Sequence, residues 1–369
     1  TPHSAQHFVV PSWRLDVQEG ADLVEEIARI TGYDDLPVTM PTGEIPLAPA
    51  QPAEWALRLA LEDRLREALK GAGMSEVVTY SLIAADTNSQ LVLEPVEARG
   101  LAGALLRQPL PLANPMSEDQ AYLRTSLVPS LAGIYAANRR HTDYGRWFFE
   151  VGRVYWPRDG ELPEEKKILG LITGGPASPP SWLGATVAAD YAGMRGLIEL
   201  VLRVTGVDAT YEPVTHPSLH PGRAACMAAN GEHVGYFGEL HPLIRERLAL
   251  GTEPLLVAEV DLEALVRHAE SARRYGGIKR FPAVGRQITV ALDPTVAAAR
   301  VQNVIERAGG ELLVDLALAD VFELPEGRRS LSFSFTLQSD ERTLTDEEAN
   351  QVRDRILTAL AQQLGAEQR

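Results

Sequence analysis

The chain has 369 residues, of which 45% are hydrophobic and 23% charged, and it carries a net charge of −15. That length accommodates two or three domains with separate cores. No apolar run nears the roughly 18 residues that span a bilayer and nothing at the N-terminus reads as a signal peptide, so no membrane partner and a cytoplasmic setting are expected.

Cys226 is the single cysteine, which excludes an internal disulfide and suits a reducing compartment; it reads as a small buried strand residue. The charge is uneven. Residues 1–272 hold 22 Lys/Arg against 36 Asp/Glu, whereas residues 273–369 hold 13 against 14. A polyanion would therefore be held by a local patch, because the molecule as a whole repels it.

In chain order, RLDVQEGADLVEEIARI (14–30) predicts a helix capped by Asp22, with Glu25 three residues on as a capping box and Gly32 closing it. Leu23, Ile27 and Ile30 form its expected buried stripe. Capping accounts for Asp22 and Glu25 but not for Asp16 or Glu26. The other reading is a hard-cation site, with Asp22, Glu25 and Glu26 within one turn and Asp16 returning from a preceding strand, VPSWRLDV. Such carboxylates suit Mg²⁺, and without a nearby His or Cys they do not suit zinc.

The Pro-rich run MPTGEIPLAPAQP (40–52) is a linker. Beyond it, EWALRLALEDRLREALKGAG reads as a long helix with Leu57, Leu61, Leu65 and Leu69 at i+4 spacing, and with Glu62 and Arg66 paired on its polar side. SEVVTYSL is a predicted strand. RWFFEVGRVYWP and KKILGLITG flank the Asp159-Gly160 turn, and AACMAANGEHVGYFGEL folds back at Asn230-Gly231 as a hairpin. Helices at 126–140 and 190–205 would cover an antiparallel sheet, giving an α+β layout.

From 273 the order is simpler. QITVALD is a strand, TVAAARVQNVIERAGG a helix, LLVDLALADVFEL and SLSFSFTLQ two strands, and TDEEANQVRDRILTALAQQLG a helix. This βαββα order is ferredoxin-like, with a last strand that AEQR just begins. Leu331, Phe333, Phe335 and Leu337 alternate with Ser332, Ser334, Thr336 and Gln338, so one face is buried and one wet. At the domain's start, RRYGGIKRFPAVGR holds Arg273, Arg274, Lys279, Arg280 and Arg286 without an acid, interleaved with Tyr275 and Phe281. Cations for a backbone and rings for unpaired bases suit RNA; a solvated basic linker is the plainer alternative.

Other constellations are weaker. His216, His220 and Cys226 in THPSLHPGRAAC are loosely metal-like, but two prolines and a glycine make this a loop running into a strand. Asn114, Glu118, Asp119 and Arg124 in NPMSEDQAYLRTSL read as a fixed turn before a helix, with Ser117 or Glu118 near a cap. No phosphate loop or dinucleotide fingerprint is present.

Together these segments resemble the β subunit of bacterial phenylalanine–tRNA ligase (phenylalanyl-tRNA synthetase). VPSWRLDVQEGADLVEEIARITGYDDLP is similar to its B5 domain. NPMSEDQAYLRTSLVPSLAG, FEVGRVY, HPGRAAC and GYFGELHP are similar to its synthetase-like core, and RRYGGIKRFPAVGRQITVALD through LTDEEANQVRDRIL to its ferredoxin-fold anticodon-binding domain. The resemblance implies a partial B5 domain at 1–40, a linker at 41–52, a degenerate class II synthetase-like core at 53–272 and an anticodon-binding domain at 273–369. It further implies a C-terminal fragment, without the tRNA-binding and editing domains that precede B5 in that family.

The resemblance also implies a Mg²⁺ shared with the α subunit on Asp16, Asp22, Glu25 and Glu26, and an α2β2 heterotetramer that charges tRNA(Phe) with phenylalanine. ATP would be bound on α. Class II synthetases clamp ATP with an arginine two residues before a core-strand glutamate; here Phe148 stands two before Glu150, and an apolar ring cannot replace a guanidinium. No glycine-rich segment supplies a second arginine, so the chain itself is expected to be non-catalytic. Arg280, Phe281 and Arg286 are the expected RNA contacts. The family's usual Arg-Asp pair after FPAV is here Gly285-Arg286-Gln287, and LPEGRRS is a shortened loop. A self-contained single-chain synthetase and a free RNA-binding or assembly module are the competing readings.

Overall fold

The structure, a computed structural model, describes residues 7–40, 43, 53–94, 96–98, 100–182, 186–269, 279–325 and 327–369. The linker expected at 41–52, apart from Gly43, and the basic run through Arg273, Arg274 and Tyr275 lie outside the described residues. The chain divides into two compact units, residues 1–53 and 54–369. Among the described residues no helix is long and apolar enough to cross a membrane.

The first unit holds helix α1 (Gly20–Thr31) and a 3-10 turn (Tyr33–Asp35). The expected cap is displaced by three residues. Glu19 is the N-cap and Asp22 is N3, its carboxylate accepting from the Glu19 amide, so the capping box is Glu19–Asp22 rather than Asp22–Glu25. Gly32 closes the helix at φ 104°, where a side chain would be strained. The expected burial of the stripe does not hold: Ile27 is 59% and Ile30 76% exposed, because the unit's described residues supply no second element long enough to cover a helix face. VPSWRLDV is not a strand but a chain of turns, with the Arg14 amide bonded to the Pro11 carbonyl.

The second unit opens with α2 (Ala53–Gly71), β1 (Ser75–Glu76), β2 (Leu82–Ile83), α3 (Thr87–Gln90), a 3-10 segment (Gly100–Leu106), β3 (Leu110–Pro111) and β4 (Tyr122–Leu123). There follow α4 (Val128–Arg139), β5 (Arg146–Trp156), β6 (Glu164–Gly174), α5 (Tyr191–Thr205), β7 (Thr210–Pro213), β8 (Leu219–Ala229), β9 (Glu232–Leu240), α6 (Pro242–Arg247), β10 (Leu255–Asp261) and α7 (Leu262–His268). Seven strands form one sheet in the order β1-β5-β6-β10-β9-β8-β7. Only β1 runs parallel to its neighbour. Asn230 (φ 49°) and Gly231 (φ 84°) make the β8–β9 turn where the sequence places it.

Each sheet face has its own core. Leu65, Leu69, Ile198, Val201 and Leu265 from α2, α5 and α7 pack on Phe149, Leu169, Phe237 and Ala258. On the other face Leu127, just before α4, and Leu131 and Tyr135 along it pack on Ile168, Ile172, Tyr236 and Val257. Glu62 departs from its expected polar side. It is buried, with the Lys167 ammonium of β6 at 2.6 Å as well as Arg66 at 3.7 Å.

Glycines let α4 approach the sheet. A Cβ on Gly170 would sit 2.9 Å from Leu131 Cδ1 and 3.0 Å from Leu127 Cβ. Gly170→Val is therefore expected to cost about 1–3 kcal/mol through overpacking, read as a lowered urea midpoint by tryptophan fluorescence. An unchanged midpoint would contradict this close approach.

The ferredoxin-like part comprises β11 (Val284–Leu292), α8 (Ala298–Gly309), β12 (Leu313–Glu323), β13 (Arg329–Leu337), α9 (Asp346–Leu364) and β14 (Glu367–Gln368), with sheet order β12-β13-β11-β14. The short last strand expected from AEQR forms against Val290 and Ala291. Val301, Ile305, Val352, Ile356 and Leu360 of the two helices close over Leu331, Phe333, Phe335 and Leu337.

Candidate functional site

Two of the four acids at the start of the chain converge on one point. Arg14 Nη2 lies 2.6 Å from Asp16 Oδ2 and 2.6 Å from Glu26 Oε1, and Arg29 holds the other Glu26 oxygen. The two guanidiniums lower the Glu26 pKa to about 2, and Arg14 also lowers that of Asp16. Asp22 Oδ2 accepts from the Glu19 and Gln18 amides at 2.8 and 2.7 Å, which lower its pKa. Glu25 is exposed. Among the described residues no group of three or more His, Cys, Asp or Glu is gathered closely enough to hold a metal ion. The donors nonetheless fit a hard cation in kind, all being carboxylate oxygens, and one cationic nitrogen already bridges Asp16 and Glu26.

The α4 face of the large sheet carries a buried polar network. Glu150 accepts from Arg124 Nη2 at 2.9 Å and Thr79 Oγ1 at 2.7 Å, while Arg124 also donates to Thr79 Oγ1 and the Arg153 carbonyl. Phe148 is buried on the same face among Leu131, Ile172 and Val257. Position 148 is thus packed in hydrocarbon, and Glu150, two residues on, is held in an internal ion pair. Ser117 caps a 3-10 turn at Glu118–Gln120, and Arg124 belongs to the buried network rather than to an open loop. Further along, Glu259 is fully enclosed and accepts from Ser126 Oγ, the Leu127 amide and Tyr236 Oη. Burial pushes its carboxyl pKa upward. His216 Nδ1 accepts from the Ser218 amide, and burial drops its pKa to about 3, so the ring is neutral.

The ferredoxin sheet has one face turned away from α8 and α9, open except at Ala291 and Ser330, which are buried. Cross-strand register puts Gly285, Gln287, Thr289 and Ala291 beside Thr336, Ser334, Ser332 and Ser330, and these beside Asp315, Ala317, Asp320 and Phe322. No Lys or Arg stands at these strand positions. Thr289 and Ser332 hydroxyls are 2.9 Å apart. Phe322 is the one aromatic there among the described residues, 61% exposed. Sequence reading misses it, because simple alternation from Leu318 puts residue 322 on the helix side. A bulge at Ala319 reverses the parity.

The three expected RNA residues are not equivalent. Arg280 is exposed, whereas Phe281 is half-buried with its carbonyl bound by Gln338 Nε2. Arg286 pairs in register with Phe335 on the helix side, and its guanidinium meets Asp346 at 2.6 Å and Asn350 at 3.3 Å on α9.

Comparison with known proteins completes this picture. Residues 36–262 match the family described as phenylalanyl tRNA synthetase beta chain CLM domain, more than half of the chain. The chain belongs to this family. Residues 279–369 match the ferredoxin-fold anticodon binding domain and residues 3–33 the tRNA synthetase B5 domain. Among similar proteins, a phenylalanine–tRNA ligase beta subunit of Bacillus cereus is 36% identical over 98% of this chain and 44% of its own length. That of Symbiobacterium thermophilum is 39% identical over 98% of this chain and 40% of its own; that of Moorella thermoacetica is 37% identical over 97% and 43%. The chain therefore spans less than half the length of these beta-chain relatives. A pyrrolysyl-tRNA synthetase from Desulfitobacterium hafniense is similar over 57% of this chain and 68% of that one, at TM-score 0.42 and 18% identity.

Proposed function

We propose that this beta chain serves phenylalanine–tRNA ligase as a non-catalytic scaffold and anticodon reader, docking on a catalytic α subunit in an α2β2 assembly in the cytoplasm. In that assembly tRNA(Phe) is esterified with phenylalanine at the expense of ATP bound on α. The modules are a B5 portion at 1–40, a linker at 41–52, the synthetase-like core at 53–272 and the anticodon-binding domain at 273–369. The observation that carries this reading is the ferredoxin sheet face turned away from its helices, which presents Ser334 and Phe322.

Phe322 is the stacking platform for an unpaired base, with Ser and Thr hydroxyls placed to bond base edges. Arg280 holds backbone phosphate at the margin, and Phe281 packs beside it. Arg286 acts through α9, keeping the sheet and helix in register under the bound strand. Asp16, Asp22, Glu25 and Glu26 would be the residues that hold Mg²⁺ in the assembly with α. When bound, the ion would supply positive charge to offset the mutual repulsion of these carboxylates.

Phe322→Ala is expected to weaken tRNA(Phe) binding by about 1–3 kcal/mol, the weight of one base–aromatic stack, with unchanged thermal stability. Arg280→Ala is expected to lower the salt slope of binding by about one ion. Fluorescence anisotropy with labelled tRNA reads both. Full affinity in Phe322→Ala would remove the sheet face from the interface.

A further inference from the structure

A cleft outside both of these sites lies at the edge of the large sheet. It encloses about 720 Å³ between the β8 approach, α6 and the segment after α3. Leu93, Val96, Val214 and Leu219 give it apolar walls. Two opposite charges line it without neutralising each other. Arg247 donates through Nη1 to the carbonyls of Gln90 and Val92 at 3.1 and 3.2 Å. This fixes the guanidinium while leaving its other nitrogens unused among the described residues. Glu94 is exposed on the same wall, and neither it nor Arg247 has an ion pair among the described residues.

Arg247 is anchored on the Val92 carbonyl, two residues before Glu94, so both charges stand on one stretch of the cleft wall. His241 adds a donor. Its Nδ1 accepts from the Leu243 amide, so the neutral ring carries its proton on Nε2. A cation and a carboxylate without ion pairs among the described residues, lining one cleft with apolar walls, match a ligand that carries a carboxylate, an ammonium and an apolar side chain.

We propose that this cleft binds a free apolar α-amino acid, its carboxylate on Arg247 and His241, its ammonium on Glu94, and its side chain against Leu93, Val96, Val214 and Leu219. The site is lined entirely by residues of this chain.

The test is calorimetric titration of the full chain, without any α subunit, with L-phenylalanine and L-leucine. 3-Phenylpropionate lacks the ammonium and phenethylamine lacks the carboxylate; they are titrated in parallel. Saturable binding of the amino acids, weakened about tenfold or more for each truncated analogue and in Glu94→Gln, is the expected result; a tenfold loss is about 1.4 kcal/mol, one charged contact. The Glu94 carboxylate is exposed and has no ion pair among the described residues, so this variant leaves the fold intact, and Arg247→Ala serves as the second variant. No saturable binding, or equal binding of amino acid and analogues, would overturn the proposal. So would full affinity in Glu94→Gln.

Discussion

Arg124→Met is expected to destabilise the synthetase-like core by about 3–5 kcal/mol. The substitution removes the guanidinium from Glu150 in a place where both side chains are almost completely buried, so a carboxylate is left in low dielectric with Thr79 as its remaining side-chain partner. Breaking one side of a buried pair has this cost because the surviving charge cannot be rehydrated. Removing both charges together relieves most of it. Arg124→Met/Glu150→Leu should recover a large share of the loss, since the face around it is already hydrocarbon. All five tryptophans lie before residue 183, so urea unfolding followed by their fluorescence reports on this part and not on the ferredoxin-like part. A single mutant within about 1 kcal/mol of the parent would show that the pair is solvated in solution.

Acid should unfold the core through His216. The ring is buried and neutral, with its folded pKa lowered to about 3 from an ordinary value of 6.5. A group whose folded pKa is depressed stabilises the fold fully above its unfolded pKa and loses that stability as pH falls toward the folded one. The affected window is therefore pH 6.5 down to 3. The loss amounts to about 1.4 kcal/mol for each pH unit, at most about 5 kcal/mol in all. His216→Asn keeps an acceptor for the Ser218 amide but cannot titrate. Urea midpoints measured from pH 7.5 to pH 4 should fall more steeply for the parent than for this variant; parallel curves would remove His216 as the cause.

Much of the architecture follows from local rules. The alternation in SLSFSFTLQ, the Asn230-Gly231 turn and the i+4 leucines of α2 each have a single low-energy outcome, and each forms as the sequence implies. What local rules miss depends on context. Asp22 looks like an N-cap because Asp and Glu stand three apart, yet the pair Glu19–Asp22 satisfies the same spacing one turn earlier and wins. Glu62 reads as a surface partner for Arg66, but Lys167 arrives from a strand 105 residues away. Phe322 is hidden by one bulge, whose extra residue no periodicity announces.

The sites are legible to different depths. Phe148, two residues before Glu150, can be read as apolar from the sequence alone, but that Glu150 pairs with Arg124, 26 residues away in sequence, cannot. Arg286 looks like an RNA contact because it belongs to a basic run, but strand parity turns it toward Asp346. The spacing of the four acids indicates which residues suit a cation. It does not reveal that Arg14, two residues before Asp16, reaches across to Glu26.

Docking of this beta chain on a synthetase α subunit is the step on which the proposed role depends. It is tested most directly by mixing the purified chain with a bacterial phenylalanine–tRNA ligase α subunit and measuring mass by light scattering, with Mg²⁺ and after chelation. A complex heavier than either component, weakened by chelation, is the result expected. Two species that keep their separate masses in both conditions would contradict the assignment, and a complex indifferent to chelation would remove Mg²⁺ from the interface.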